Sequence, residues 1–251
     1  MMTSYAPGQP GIDHAEDAPC AGLTPRAVWI DLYEPTREEE AAVEAALKLD
    51  VPTREEMRSI ELSGRLYRRQ QALYLTATVL SGAEATFPQS VAVTFVLTPA
   101  CLVTVRYAPL AAFRAFLTRR AAAPKEEYDT PRKVLAGLIE AVTERLADVL
   151  ERVGLDLDQL SHIVFGSPLA LAEAPATARP AEARPPKRGR ARTKRRDFNA
   201  LLQALGRCSD LVSRGRETAV SFNRLIVFVR AAPELVEADL KGQLKVISAD
   251  L

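Results

Sequence analysis

The sequence predicts an α+β fold followed by a long helical region, and three observations carry that prediction. Two runs beginning with a helix capping pattern lie near the start of the chain, at "PTREEEAAVEAALKL" and "PTREEMRSIEL". Between residues 65 and 107 the apolar period shortens from helical to alternating, as half-buried strands require. From residue 131 onward no strand signal of any strength remains, and apolar residues recur every three or four positions.

The elements follow in order. Residues 1–25, rich in Gly, Pro and Asp, read as a disordered lead-in without the charged and apolar regions of a secretory signal. "AVWIDL" (27–32) is a short β-rich run. Thr36 and Glu39 then match the S/T-x-x-E capping box, with Val43, Ala46 and Leu47 as one apolar face. Thr53 and Glu56 repeat the device and predict a second helix. "RLYRRQQALYLTATVL", "SVAVTFVLTP" and "CLVTVRY" predict a meander of at least three strands, with a tight turn at Thr98-Pro99-Ala100. "PLAAFRAFLTRR" returns to helix, Pro109 standing at a favoured first-turn position. The α/β domain is thus placed at 26–125 and the helical region at 130–251.

Within the helical region, Val134, Leu138, Val142, Leu146, Val149 and Val153 mark a helix over 131–165. Five prolines between 168 and 186 break it, and 167–196 reads as a flexible loop. Leu201, Leu205, Cys208, Phe222, Ile226 and Val229 define a second helix over 197–230, so the two should form an antiparallel hairpin. A third helix starts near Pro233 and runs to Leu251 without a stop signal.

Charge and composition narrow the function. The formal net charge is +1, yet residues 179–196 hold nine Lys and Arg against one Glu, so the remaining residues sum to −7. The body is acidic and carries one basic tract, unlike a generally basic nucleic-acid-binding domain. In that tract Lys187, Arg188, Arg190, Arg192, Lys194, Arg195 and Arg196 suit a solvated linker, anionic lipid headgroups or, last, nucleic acid, since no aromatic interleaves them. The three cysteines are far apart and read as small buried hydrophobes in a reducing setting. Two histidines, no phosphate-binding glycine loop and no zinc-type spacing leave no constellation for an enzyme. Carboxylates are plentiful, and a hard cation such as Mg²⁺ takes one or two of them together with retained waters.

The order of blocks resembles the CorA-type magnesium transporter family. "AVWIDLYEPTREEE", "VPTREEMRSIELSGRLY", "ALYLTATVL", "AVTFVLT" and "LVTVRY" carry the likeness, and it continues through "VLAGLIEAVTERLADVLERVGLDLDQLSHIVF" and "LLQALGRCSDLVSRGRETAVSFNRLIVFV". Zinc-transporting relatives share this architecture, but these blocks resemble CorA proper more closely. The resemblance implies an α/β/α sandwich with a mixed, largely antiparallel sheet, a helical hairpin, and the start of a stalk helix over 233–251. It implies a homopentamer at the cytoplasmic face of the inner membrane, with Mg²⁺, or Co²⁺ or another divalent cation, bound weakly between subunits to close the pore. Two membrane helices and a Gly-Met-Asn motif would follow the stalk, and this sequence, which contains neither, reads as cut inside it. On that likeness the metal ligands are Glu55 and Glu56, with Asp156, Asp158 and Asp250 as partners from the helical region. The basic tract would face inner-leaflet anionic lipids. The competing class is a soluble interaction module whose basic hairpin tip binds an acidic partner or RNA.

Overall fold

A computed structural model describes residues 1–14, 27–59, 61–124, 126–165, 190–232 and 238–251. Seven strands form one sheet in the order β2-β1-β3-β7-β6-β5-β4. They are β1 (Met2–Tyr5), β2 (Ile12–His14), β3 (Trp29–Tyr33), β4 (Leu66–Arg69), β5 (Ala72–Ser81), β6 (Gln89–Leu97) and β7 (Leu102–Arg106). Only the central β3–β7 pair is parallel; the remaining pairs are antiparallel. The mixed, largely antiparallel sheet expected from the sequence is the one observed.

Strand alternation sends successive side chains to opposite faces, and each face has its own core. One face carries Ile30, Leu32, Val96, Val103 and Val105, covered by Val43 of α1 (Arg37–Leu47) and by Met57. The other carries Trp29, Leu75, Ala77, Phe95 and Leu97. It is covered by α3 (Ala111–Ala122), α4 (Pro131–Phe165), α5 (Arg190–Arg230) and α6 (Ala238–Asp250), through Phe113, Phe116, Leu138, Phe222, Ile226 and Leu244. The short α2 (Leu62–Arg65) leads into β4. The result is the α/β/α sandwich with a mixed sheet that the family resemblance implies.

Beyond Leu75, β5 has no strand on its outer side among the described residues, because β4 pairs with Ala72–Leu75. Open strand edges leave amides that need acceptors. Here α5 supplies them. Thr78 N–H donates to Ser221 Oγ at 2.9 Å, and Leu80 N–H donates to Thr218 Oγ1 at 2.9 Å.

Three sequence expectations need correction. Residues 1–14 are not a disordered lead-in: β1 pairs with β3, and Met2 and Tyr5 reach opposite faces of the sheet. Averaged composition conceals such a tetrapeptide, whose Tyr5 ring stacks on Trp29 at 4.3 Å. Residues 15–26 lie outside the described residues. The second capping box is made, since Thr53 N–H and Oγ1 both donate to Glu56. The helix it announces is nevertheless a single 3₁₀ turn, Glu56–Arg58. The expected meander of at least three strands has four, because residues 65–80 supply two of them, reversed at Gln70, whose φ is +53°. Finally, 190–196 belongs to α5 rather than to the flexible loop. Arg and Lys are good helix formers, and the last proline before α5 stands at 186. Residues 166–189, with Lys187 and Arg188, lie outside the described residues.

By contact the chain divides into two units: residues 1–147 with 214–251, and residues 148–213. The second consists of the end of α4, the start of α5 and the segment joining them. Within it Val149, Val153, Cys208 and Leu211 are buried.

Candidate functional site

The candidate acidic ligands are best judged by what already holds each carboxylate. In α1, Thr36 Oγ1 accepts from Glu39 N–H, and Glu39 Oε2 accepts from Thr36 N–H at 3.0 Å and from the Met1 ammonium at 2.9 Å. Glu44 Oε1 accepts from Val51 N–H at 2.9 Å, fixing the chain that leaves α1. Glu40 accepts from Tyr107 Oη at 3.3 Å, and burial pushes its carboxyl above the usual range. Glu56 is committed to Thr53. Glu55 differs: its side chain is exposed and has no hydrogen-bond or ion-pair partner among the described residues.

The turn that presents Glu55 is well anchored. Met57 is buried in the core beneath α1. Arg54 lies 5.1 Å over the Tyr107 ring, a cation–π contact that ties the turn to the end of β7. Glu55 and Glu56 therefore stand side by side on a short, fixed, solvent-facing segment.

The other predicted ligands lie elsewhere. Asp250 is exposed on α6, whose Leu244 and Ile247 pack on the sheet face opposite to Met57. Asp156 and Asp158 are exposed on α4 within the second unit, and the Asp156 charge helps burial to push the Cys208 thiol up. Among the described residues no group of three or more His, Cys, Asp and Glu converges. Of the basic residues, Arg190, Arg192, Lys194, Arg195 and Arg196 fall at the start of α5.

Sequence reasoning missed the most developed polar cluster of the domain. Asp31 on β3 and Arg106 on β7 form a largely buried bidentate pair, with Arg106 Nη2 donating to Asp31 Oδ2 at 2.8 Å and Nε to Oδ1 at 3.2 Å. Thr104 Oγ1 donates to Asp31 Oδ1 at 2.6 Å, and Trp29 Nε1 donates to Thr104 Oγ1 at 3.0 Å. The Arg106 guanidinium lies 4.4 Å over the Tyr33 ring. Thr104 and Arg106 alternating with valines in "LVTVRY", and the lone carboxylate Asp31 within "WIDLY", were the available signal.

No helix among the described residues is long and apolar enough to cross a membrane. The sequence profile of the CorA-like Mg²⁺ transporter protein family matches residues 26–168. The chain belongs to the CorA-like Mg²⁺ transporter family. Among its CorA relatives, the magnesium transport protein CorA of Wolinella succinogenes is 28% identical over 232 residues, covering 91% of this chain and 63% of that protein. The CorA of Mannheimia succiniciproducens is 32% identical over 140 residues, covering 56% of this chain and 44% of its own length. The chain spans about half the length of the curated CorA relatives it matches. The soluble domain of CorA from Methanocaldococcus jannaschii superposes with a TM-score of 0.61 over 100% of this chain and 87% of that one, at 11% identity. The complete CorA transporter from the same organism gives 0.64 over 99% of this chain and 68% of that one, at 10% identity. At such identities the likeness speaks for the CorA fold.

Proposed function

We propose that this chain is the cytoplasmic, cation-sensing part of a CorA-like magnesium transporter and works as a homopentamer. In this reading, Glu55 and Glu56 of one subunit face carboxylates of the next, with Asp156, Asp158 and Asp250 as the candidates. Unscreened, such faces repel. A bound divalent cation supplies the opposite charge, and by mass action it favours the arrangement in which the faces are close. Mg²⁺ suits carboxylates that lie singly or in pairs, because it keeps much of its water shell. Co²⁺ or another divalent cation would serve the same geometry.

One observation carries the reading: Glu55 is exposed and uncommitted on an anchored turn, while the carboxylates of Glu39, Glu44 and Glu56 are held by backbone or hydroxyl donors. Family membership supports it. The test is sedimentation velocity and limited trypsinolysis of the chain with and without millimolar Mg²⁺. Association and slower cleavage on adding Mg²⁺, both lost in Glu55→Gln, are expected. Identical mass and digestion rate in both conditions would overturn the proposal.

A further inference from the structure

The turn between β1 and β2 and the C-terminal end of α3 enclose a cleft of about 570 Å³, apart from the acidic turn at Glu55. It lies wholly within the first unit. Its volume is that of a small-molecule site. Tyr5 contributes an aromatic ring, and Leu117, Ala121 and Pro124 give an apolar wall. Arg120 and Asp13 bring one charge of each sign to the same cleft.

Arg120 is fixed by backbone rather than by a carboxylate. Its Nη1 donates to the Gln9 carbonyl at 2.9 Å and its Nη2 to the Ala6 carbonyl at 2.6 Å, and the guanidinium lies 5.2 Å over the Tyr5 ring. Its Nε is shielded from solvent and has no acceptor. No carboxylate pairs with it among the described residues. A partly buried cation without a counter-charge is costly, and burial lowers the guanidinium pKa. Asp13 is the complementary case. Its Oδ1 accepts from Thr3 Oγ1 at 2.7 Å, and no cation pairs with it among the described residues. Both charges act on the Tyr5 phenol: burial raises its pKa most, Asp31 and Asp13 add to that, and Arg106 and Arg120 oppose it. Asp13 and Arg120 thus share one cleft without forming an ion pair with each other.

Two unpaired charges of opposite sign select the ligand. Inorganic phosphate would satisfy Arg120 but bring like charge to Asp13, and a metal cation would do the reverse. A molecule that carries an ammonium and a carboxylate satisfies both, and a guanidinium is the side chain best matched to a carboxylate. The apolar wall beside the charges takes an apolar substituent. We propose that this cleft binds a free apolar α-amino acid, with its carboxylate at Arg120, its ammonium at Asp13 and its side chain against Leu117, Ala121 and Pro124. This goes beyond the cation-sensing reading and needs no metal.

Calorimetry and saturation-transfer NMR of the full chain with L-leucine, in metal-free buffer, test it. A dissociation constant of about 1 mM is expected for so small a ligand. Leucinamide, which lacks the carboxylate, and 4-methylpentanoate, which lacks the ammonium, should each bind about tenfold more weakly or worse. Asp13→Asn, which keeps an acceptor for Thr3, should make leucine and 4-methylpentanoate bind alike. Arg120→Gln should remove the preference for leucine over leucinamide. Because Arg120 also ties down the turn, Ala121→Trp provides a second variant: it fills the cleft from an exposed position, and should abolish binding with an unchanged circular dichroism spectrum. No leucine binding at roughly ten times the expected constant would overturn the proposal. So would leucinamide that binds as leucine does, or an Ala121→Trp variant that binds as the parent does.

Discussion

Arg106 on β7 clasps Asp31 on β3 across the one parallel strand pair of the sheet, with both side chains largely buried, 15% and 5% exposed. A buried ion pair is a weak source of net stability but a costly thing to break. Arg106→Leu would leave the Asp31 carboxylate with only Thr104 as donor. We expect a loss of about 3–5 kcal/mol in urea unfolding. Asp31→Leu combined with Arg106→Leu should cost clearly less than the two single changes summed. Strict additivity would show that the pair is not a coupled unit.

Glu55 and Glu56 are neighbours with separable roles. Glu56→Ala removes the acceptor for Thr53 and should cost about 1 kcal/mol in thermal or urea unfolding. Glu55→Gln removes charge from an exposed position and should leave stability within about 0.5 kcal/mol. If Glu55 is a sensing ligand, Glu55→Gln nevertheless abolishes the magnesium-dependent change in trypsin protection. A stability loss without loss of that response would reverse the assignment.

Burial pushes the Cys101 thiol up to about 12, and Tyr5, Tyr107 and Tyr128 are likewise raised to about 12. In each case the folded state holds the proton more tightly than the unfolded chain. Their contribution is complete below the unfolded values and is lost between about pH 9 and the folded values near 12. Stability should therefore decline steadily above about pH 9, with Cys101 accounting for about 1.4 kcal/mol per pH unit until its folded value is reached. Cys101→Val should flatten that slope in pH-stepped denaturation. An unchanged slope would exclude the thiol as a contributor. In a Cys20→Ser background, Cys101 should react with a thiol reagent only on unfolding.

Two helix glycines should respond with opposite signs. A Cβ on Gly137 would lie 2.5 Å from Phe116 Cε2 and 2.8 Å from Tyr128 Cε1. Gly137→Ala should cost about 1–3 kcal/mol despite better helix propensity. Gly206 has nothing within 4 Å of its Cβ position. Gly206→Ala should stabilise by about 0.5–1 kcal/mol. Differential scanning calorimetry of the two variants decides this, and a stabilised Gly137→Ala would show that the Phe116 and Tyr128 rings yield freely.

Much of the architecture follows from local pattern. The first capping box, the alternation of "SVAVTFVLTP" and the three-four stepping from Val134 to Val153 each report a periodicity that burial on one face imposes on neighbouring residues. Family membership follows from the order of those blocks. Three-dimensional structure decided what depends on residues distant in sequence. It admitted Met2–Tyr5 into the sheet, because only pairing with β3 and stacking on Trp29 give that tetrapeptide a place. It reduced the second capped helix to one turn. It joined Asp31 to Arg106 across 75 residues. It also placed Glu55 and Asp250 on elements that cover opposite faces of the sheet. Short-range periodicity records which face of an element is buried; which charges meet depends on how those faces stack, and no local pattern encodes that.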